Sequence, residues 1–71
     1  MIAVVLGAGK MGRAISYALN QISAGVIVVD RDADMIRETL SFCDGAITGE
    51  LVDDNLSDIL DAHKPDVVIS S

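Results

Sequence analysis

Apolar residues fall into two rhythms along this chain. Residues 2–6 (Ile-Ala-Val-Val-Leu) and 26–29 (Val-Ile-Val-Val) are unbroken apolar runs. Short runs without polar alternation suit strands covered on both faces. Between them, Met11, Ala14, Ile15, Ala18, Leu19 and Ile22 recur at three- and four-residue intervals. That spacing predicts one face of a helix over 10–22, with its stop in 20–25. A second helix is predicted up to about Cys43, capped by Asp32 or Asp34, with Met35, Ile36, Thr39 and Leu40 on one side. A strand follows over 46–51, weakened by Thr48, Gly49 and Glu50. Asp53 or Asp54 caps a third helix whose Leu56, Ile59 and Leu60 share a face. Lys64 suits the negative end of that helix, and Pro65 stops it. The run 67–71 (Val-Val-Ile-Ser-Ser) reads as a fourth strand.

Strands alternating with helices predict an α/β fold with parallel strands and right-handed crossovers. The natural four-stranded order is 3-2-1-4, half of a doubly wound fold, with two helices on one face and the third on the other. One helix covers a four-stranded face poorly, and strand 4 is left as an apolar edge. The expectation is therefore that the remainder of a larger chain, or self-association, completes the unit.

Composition narrows the function. The 71 residues suffice for one small domain. Hydrophobic residues make up 51% of them and mean hydropathy is +0.46, which excludes a disordered chain. Five basic against eleven acidic residues leave a net charge of −6, which opposes attraction to nucleic acid or an anionic membrane. Aromatic residues are only 3%, too few for a base-stacking platform. The apolar runs are too short to span a bilayer, and no secretory signal pattern opens the chain. A single cysteine, Cys43, excludes an intrachain disulfide framework and a Cys-rich zinc site. These features fit a cytoplasmic setting.

The chemistry concentrates in Gly7-Ala8-Gly9-Lys10-Met11-Gly12, a G-x-G-x-x-G pattern. It follows an apolar strand, opens a periodic helix and lies 18 residues before Asp30. In that context it predicts a dinucleotide site. Gly7 permits the turn, Gly9 lets a pyrophosphate approach the backbone, and Gly12 lets the helix pack closely. Amides around residues 9–12 and the helix dipole hold the phosphate charge. Asp30 accepts the adenosine ribose hydroxyls. A carboxylate there favours NAD, while the neighbouring Arg31 keeps NADP open. Lys10 and Met11 lie beside the same loop. Ser70 and Ser71 end strand 4 at the switch point where open α/β sheets bind ligands, so they join the candidate site.

Other chemistry-bearing residues read as structural. His63 falls at the end of helix 3 and Cys43 at the end of helix 2, away from the loop. The remaining acids cluster at helix starts and exposed faces, as caps and solvated charge rather than metal ligands.

The stretch Val4-Val5-Leu6-Gly7-Ala8-Gly9-Lys10-Met11-Gly12-Arg13-Ala14-Ile15, with Val29-Asp30-Arg31-Asp32, resembles NAD(P)-dependent Rossmann dehydrogenases. The ending Asp66-Val67-Val68-Ile69-Ser70-Ser71 resembles the saccharopine dehydrogenase and lysine 6-dehydrogenase group. That resemblance implies the cofactor-binding part of an oxidoreductase acting at an amino-acid C–N bond. It also implies Glu50 or Asp53 near the adenine. The group's catalytic residues lie outside the matched segment. A second resemblance is to the nucleotide-sensing domains that regulate bacterial potassium uptake. Those share Gly-Ala-Gly and the acid after strand 2, bind NAD(H) or nucleotides without turnover, and dimerise. Gly49-Glu50 departs from the Gly-Asp step usual there after strand 3.

Overall fold

The computed structural model describes residues 1–22 and 24–71, with Asp53 by its backbone alone. The elements run β1 (Ile2–Leu6), α1 (Lys10–Gln21), β2 (Gly25–Asp30), α2 (Ala33–Arg37), β3 (Gly45–Thr48), α3 (Asp53–His63) and β4 (Val67–Ser70). The four strands form one parallel sheet in the order β3-β2-β1-β4, as the alternation predicts. Ala3, Val4, Val5, Val26, Val28 and Val29 are fully buried. Both faces of the two central strands are therefore covered, which is why their sequences lack polar alternation. Val5, Val26 and Val28 pack under α1 and α2 with Ala8, Ala24 and Ile36. α3 occupies the opposite face, where Ile59 shares a small cavity with Ile47. None of its described side chains is fully buried.

Two aspartates start strands by the same device. Asp44, just before β3, exchanges backbone and side-chain bonds with Val26: its amide donates to the Val26 carbonyl at 2.8 Å, and its carboxylate accepts the Val26 amide at 2.7 Å. Asp66, just before β4, repeats the pattern on Ile2, with both distances 2.8 Å. Each carboxylate satisfies an amide at the sheet margin that the shorter neighbouring strand leaves over.

Several elements differ from the sequence reading. α1 presents Gly12 and Ser16 to the sheet, flanked by Ile15 and Leu19, while Ala14 and Ala18 face outward with Met11 (66% exposed) and Ile22 (68%). One turn beyond Gly12, Ser16 is fully buried. Ser16 satisfies its hydroxyl internally, donating to the Gly12 carbonyl at 2.8 Å. The helix ends at Gln21, with the Ile22 amide bonded back to Leu19; Ser23, within the expected stop, lies outside the described residues.

α2 is a single short stretch rather than a helix reaching Cys43. Asp32 caps it, accepting the Asp34 amide at 2.9 Å. Beyond Arg37 the chain tightens into turns with three-residue bonds, Thr39 to Ile36 and Phe42 to Thr39. Thr39 also donates its hydroxyl to the Ile36 carbonyl at 2.7 Å, competing with the four-residue ladder. A three-residue repeat puts Ile36 and Thr39 inward and leaves Met35 and Leu40 exposed. β3 stops at Thr48 instead of 51, where its partner β2 ends at Asp30; the Gly49 amide makes the last bond between them, to the Asp30 carbonyl at 2.9 Å.

At α3 the N-cap position belongs to Val52, without a side-chain cap bond, so Asp53 and Asp54 lie inside the helix; the Asp53 side chain is outside the described residues. Lys64 ends the helix in the left-handed conformation, φ 46° and ψ 59°, its amide donating to Leu60 at 2.8 Å. Glycine adopts this conformation without the Cβ penalty. Lys64→Gly is therefore expected to stabilise the chain by about 0.5–1 kcal/mol in chemical denaturation. A loss of stability would contradict the strained geometry assigned to this cap.

Candidate functional site

The turn out of β1 needs a residue free of steric limits. Gly7 takes φ +105°, and its amide donates to the Val29 carbonyl at 2.7 Å, so β2 holds the turn. Ala8 is fully buried, and its amide donates to Asp30 Oδ2 at 2.8 Å. Gly9 then enters the N-cap of α1 in extended conformation, with no side-chain cap. Among the described residues, no acceptor meets the amides of Gly9, Lys10, Met11 and Gly12. The first turn of α1 also carries no acidic side chain. These amides and the helix dipole make a positive surface without a formal charge.

The three glycines differ in what a side chain would meet. A Cβ at Gly9 would point into open space, with nothing within 4 Å. A Cβ at Gly12 would collide with the Gly7 carbonyl oxygen and stand 2.7 Å from Ser71 Oγ. Gly9 thus keeps an approach to the backbone open, whereas Gly12 is required by packing. The close contact of Gly12 is with the loop carbonyl and Ser71, rather than with the sheet as a whole.

Asp30, half-buried at the end of β2, faces the loop. Its two oxygens accept the Ala8 amide and, at 2.8 Å, the Asp32 amide. The Ala8 bond, then the Asp32 bond, hold its carboxyl below the ordinary value of 3.8; partial burial opposes them and the Arg31 charge assists. Each oxygen keeps a further lone pair for a ligand hydroxyl. On the other flank Ser71 follows β4. Its amide donates to the Leu6 carbonyl at 3.0 Å, and its hydroxyl reaches the Leu6 and Gly7 carbonyls, each at 3.1 Å.

Between these groups lies an open cavity of about 420 Å³. Gly7, Gly9, Asp30, Arg31 and Ser71 line it, together with Glu50, one of the two acids that the resemblance places near the adenine, so six of the sequence-selected residues converge on one crevice. Lys10, Met11, Gly12 and Ser70 do not line it. Gly12 is buried beneath the loop, Lys10 and Met11 are exposed on the first turn of α1, and Ser70 sits in the ladder opposite Leu6. The segment after β3 closes the outer wall with Glu50, Leu51 and Val52. Leu51 and Val52 escaped the sequence reading; their signal was an apolar pair, both exposed, inside an otherwise polar loop. His63 ends α3, and Cys43 lies beside Thr39 with Sγ 3.7 Å from its hydroxyl; neither lines the crevice.

Two outcomes are expected. Gly12→Ala forces a methyl group into the Gly7 carbonyl, and should cost about 2–3 kcal/mol in a denaturant titration. An unchanged midpoint would refute the close seat. Asp30 is more acidic in the folded chain than when unfolded. Its contribution is therefore complete above the ordinary value of 3.8 and is lost as pH falls through its lower folded value. The stability gap between wild type and Asp30→Asn should be widest near neutral pH and close in acid. A gap that widens on acidification would reverse this sign.

Comparison with known proteins agrees with this geometry. The family model of the TrkA-N domain matches residues 3–71. No curated protein matches the sequence. Among solved structures, N5-carboxyaminoimidazole synthetase from Staphylococcus aureus, complexed with ADP, superposes with a TM-score of 0.81 at 18% identity. The match covers 99% of this chain and 18% of that one, so the present chain spans less than a fifth of that protein, and the likeness is one of fold. Among the described residues no helix is long and apolar enough to cross a membrane. With a Rossmann-like sheet, a glycine loop on its first helix and a family match over nearly its whole length, the chain belongs to the TrkA-N domain family.

Proposed function

We propose that this chain is an NAD(H)-binding module that senses its ligand rather than transforming it. The observation that carries the reading is that one crevice is lined both by Gly9, which opens the run of unpartnered amides at the start of α1, and by Asp30 with its oriented carboxylate. The amides receive the pyrophosphate, and Asp30 receives the adenosine ribose. Leu51 and Val52 offer an apolar wall for the base. Asp30 also disfavours NADP: its carboxylate is pinned by two amides and cannot swing aside for a 2′-phosphate without breaking both.

Membership of the TrkA-N family favours sensing over the amino-acid dehydrogenase reading. The tail that suggested a dehydrogenase has a local explanation. Asp66 satisfies the Ile2 amide, and Ser71 ties β4 to the glycine loop. The crevice also offers little for acid–base work. Among the described residues lining it, the titratable side chains are Asp30, Arg31 and Glu50, and Asp30 is held as the carboxylate.

Titration with NADH and NADPH, followed by nicotinamide fluorescence, tests the reading. NADH should bind at least tenfold more tightly than NADPH. Gly9→Val should weaken NADH binding at least tenfold. Its effect on stability should stay near 1 kcal/mol, the N-cap preference of glycine over an apolar residue. Equal binding of the two cofactors would overturn the NAD assignment, and undiminished binding by Gly9→Val would overturn the site. Reduction of NAD in the presence of lysine or saccharopine would overturn the non-catalytic reading.

A further inference from the structure

The peptide unit joining Gly7 and Ala8 is gripped from both neighbouring strands. Its N–H donates to Asp30 Oδ2 from the β2 side at 2.8 Å. Its carbonyl accepts the Ser71 hydroxyl from the β4 side at 3.1 Å, and Gly12 rests on the same carbonyl. This peptide plane turns about ψ of Gly7 and φ of Ala8, and Gly7, which has no Cβ, accepts the change on its side. A flip would aim the Ala8 N–H away from Asp30 and move the carbonyl on which α1 is seated. Among the described residues the Ala8 amide has no other acceptor, and Ala8 is fully buried, so the flip leaves a buried donor unpaired.

We propose that Asp30 is a positioning residue for the phosphate loop: its carboxylate locks the Gly7–Ala8 peptide, and so holds the Gly9–Gly12 amides in their anion-receiving arrangement before a ligand arrives. This rests on the nucleotide reading above and adds a second role to the residue expected at the ribose. The second oxygen makes the lock stiff, since its bond to the Asp32 amide fixes the carboxylate plane. The two roles have opposite signs for one kind of ligand. A carboxylate beside a phosphate site repels it, so removing Asp30 should strengthen binding of an anion that has no ribose hydroxyls to lose. If the carboxylate locks the loop, the same removal weakens that binding.

The experiment uses 2′,3′-dideoxyadenosine diphosphate as the probe, with amide hydrogen exchange of the ligand-free chain as an independent readout. Asp30→Ala should weaken the dideoxy nucleotide at least tenfold. Asp30→Asn keeps one side-chain oxygen for the Ala8 amide but turns its NH2 toward the Asp32 N–H, so it should weaken the dideoxy nucleotide less than Asp30→Ala does. In the free protein, the Ala8 amide should exchange at least tenfold more slowly in wild type than in Asp30→Ala. Equal or tighter dideoxy-nucleotide binding by Asp30→Ala, or equal Ala8 exchange in the two proteins, would overturn the lock. Failure of wild type to bind NADH would remove the nucleotide reading instead, while Ala8 exchange still decides whether the peptide is held.

Discussion

The backbone of Gly12 lies against the Gly7 carbonyl with no room for a methyl group between them. That contact sets the height of α1 above the sheet. From it follow the serine under the second turn and the displacement of Met11, Ala14, Ala18 and Ile22 to the outside. It also fixes where the first-turn amides point. A helix one methyl group higher would carry its positive end away from the crevice, since the dipole effect fades within the first turn. The glycine at position 12 thus acts on the ligand site without lining it. Gly9 lines the site and bears on no packing at all.

Much of this was legible in the sequence, for reasons that can be stated. Sheet order and strand direction follow from alternation and crossover handedness, which need only the approximate positions of elements. The glycine loop and Asp30 could be placed because their spacing is tied to one strand–turn–helix–strand unit. What escaped is where a second interaction competes with a periodic pattern. The apolar face of α1 rests on hydrophobic spacing, which ranks Met11 and Ala14 above Gly12 and Ser16 even though Gly12 is expected to seat the helix closely. The end of α2 depended on the Thr39 hydroxyl turning back onto Ile36. Leu51 and Val52 were invisible as wall residues because their position depends on where β3 stops, and it stops where its partner β2 runs out at Asp30.

The acidic composition also has a structural reading. Asp30, Asp32, Asp44 and Asp66 each accept a backbone amide at the end of a strand or the start of a helix. In a parallel sheet with staggered strands, the margins leave amides that no neighbouring carbonyl can reach. A short carboxylate from the residue just outside the strand reaches them. These aspartates contribute to a net charge of −6 while serving the backbone locally. Net charge therefore speaks to long-range encounter with polyanions and says little about a small anion held at short range.

That distinction explains how so acidic a chain can present an anion site. The attractive groups are backbone amides, which are fixed by the fold and carry no counter-charge to neutralise. The Asp30 carboxylate is tied to one of the loop's own amides rather than left to face the crevice unpaired. The Ala8 amide is thereby removed from the set available to a ligand, and the four that follow it are left open. One negative side chain thus sorts the loop's donors into those that hold its shape and those that face outward. In that arrangement the same residue can oppose a phosphate by charge and yet be required for the surface on which a phosphate rests.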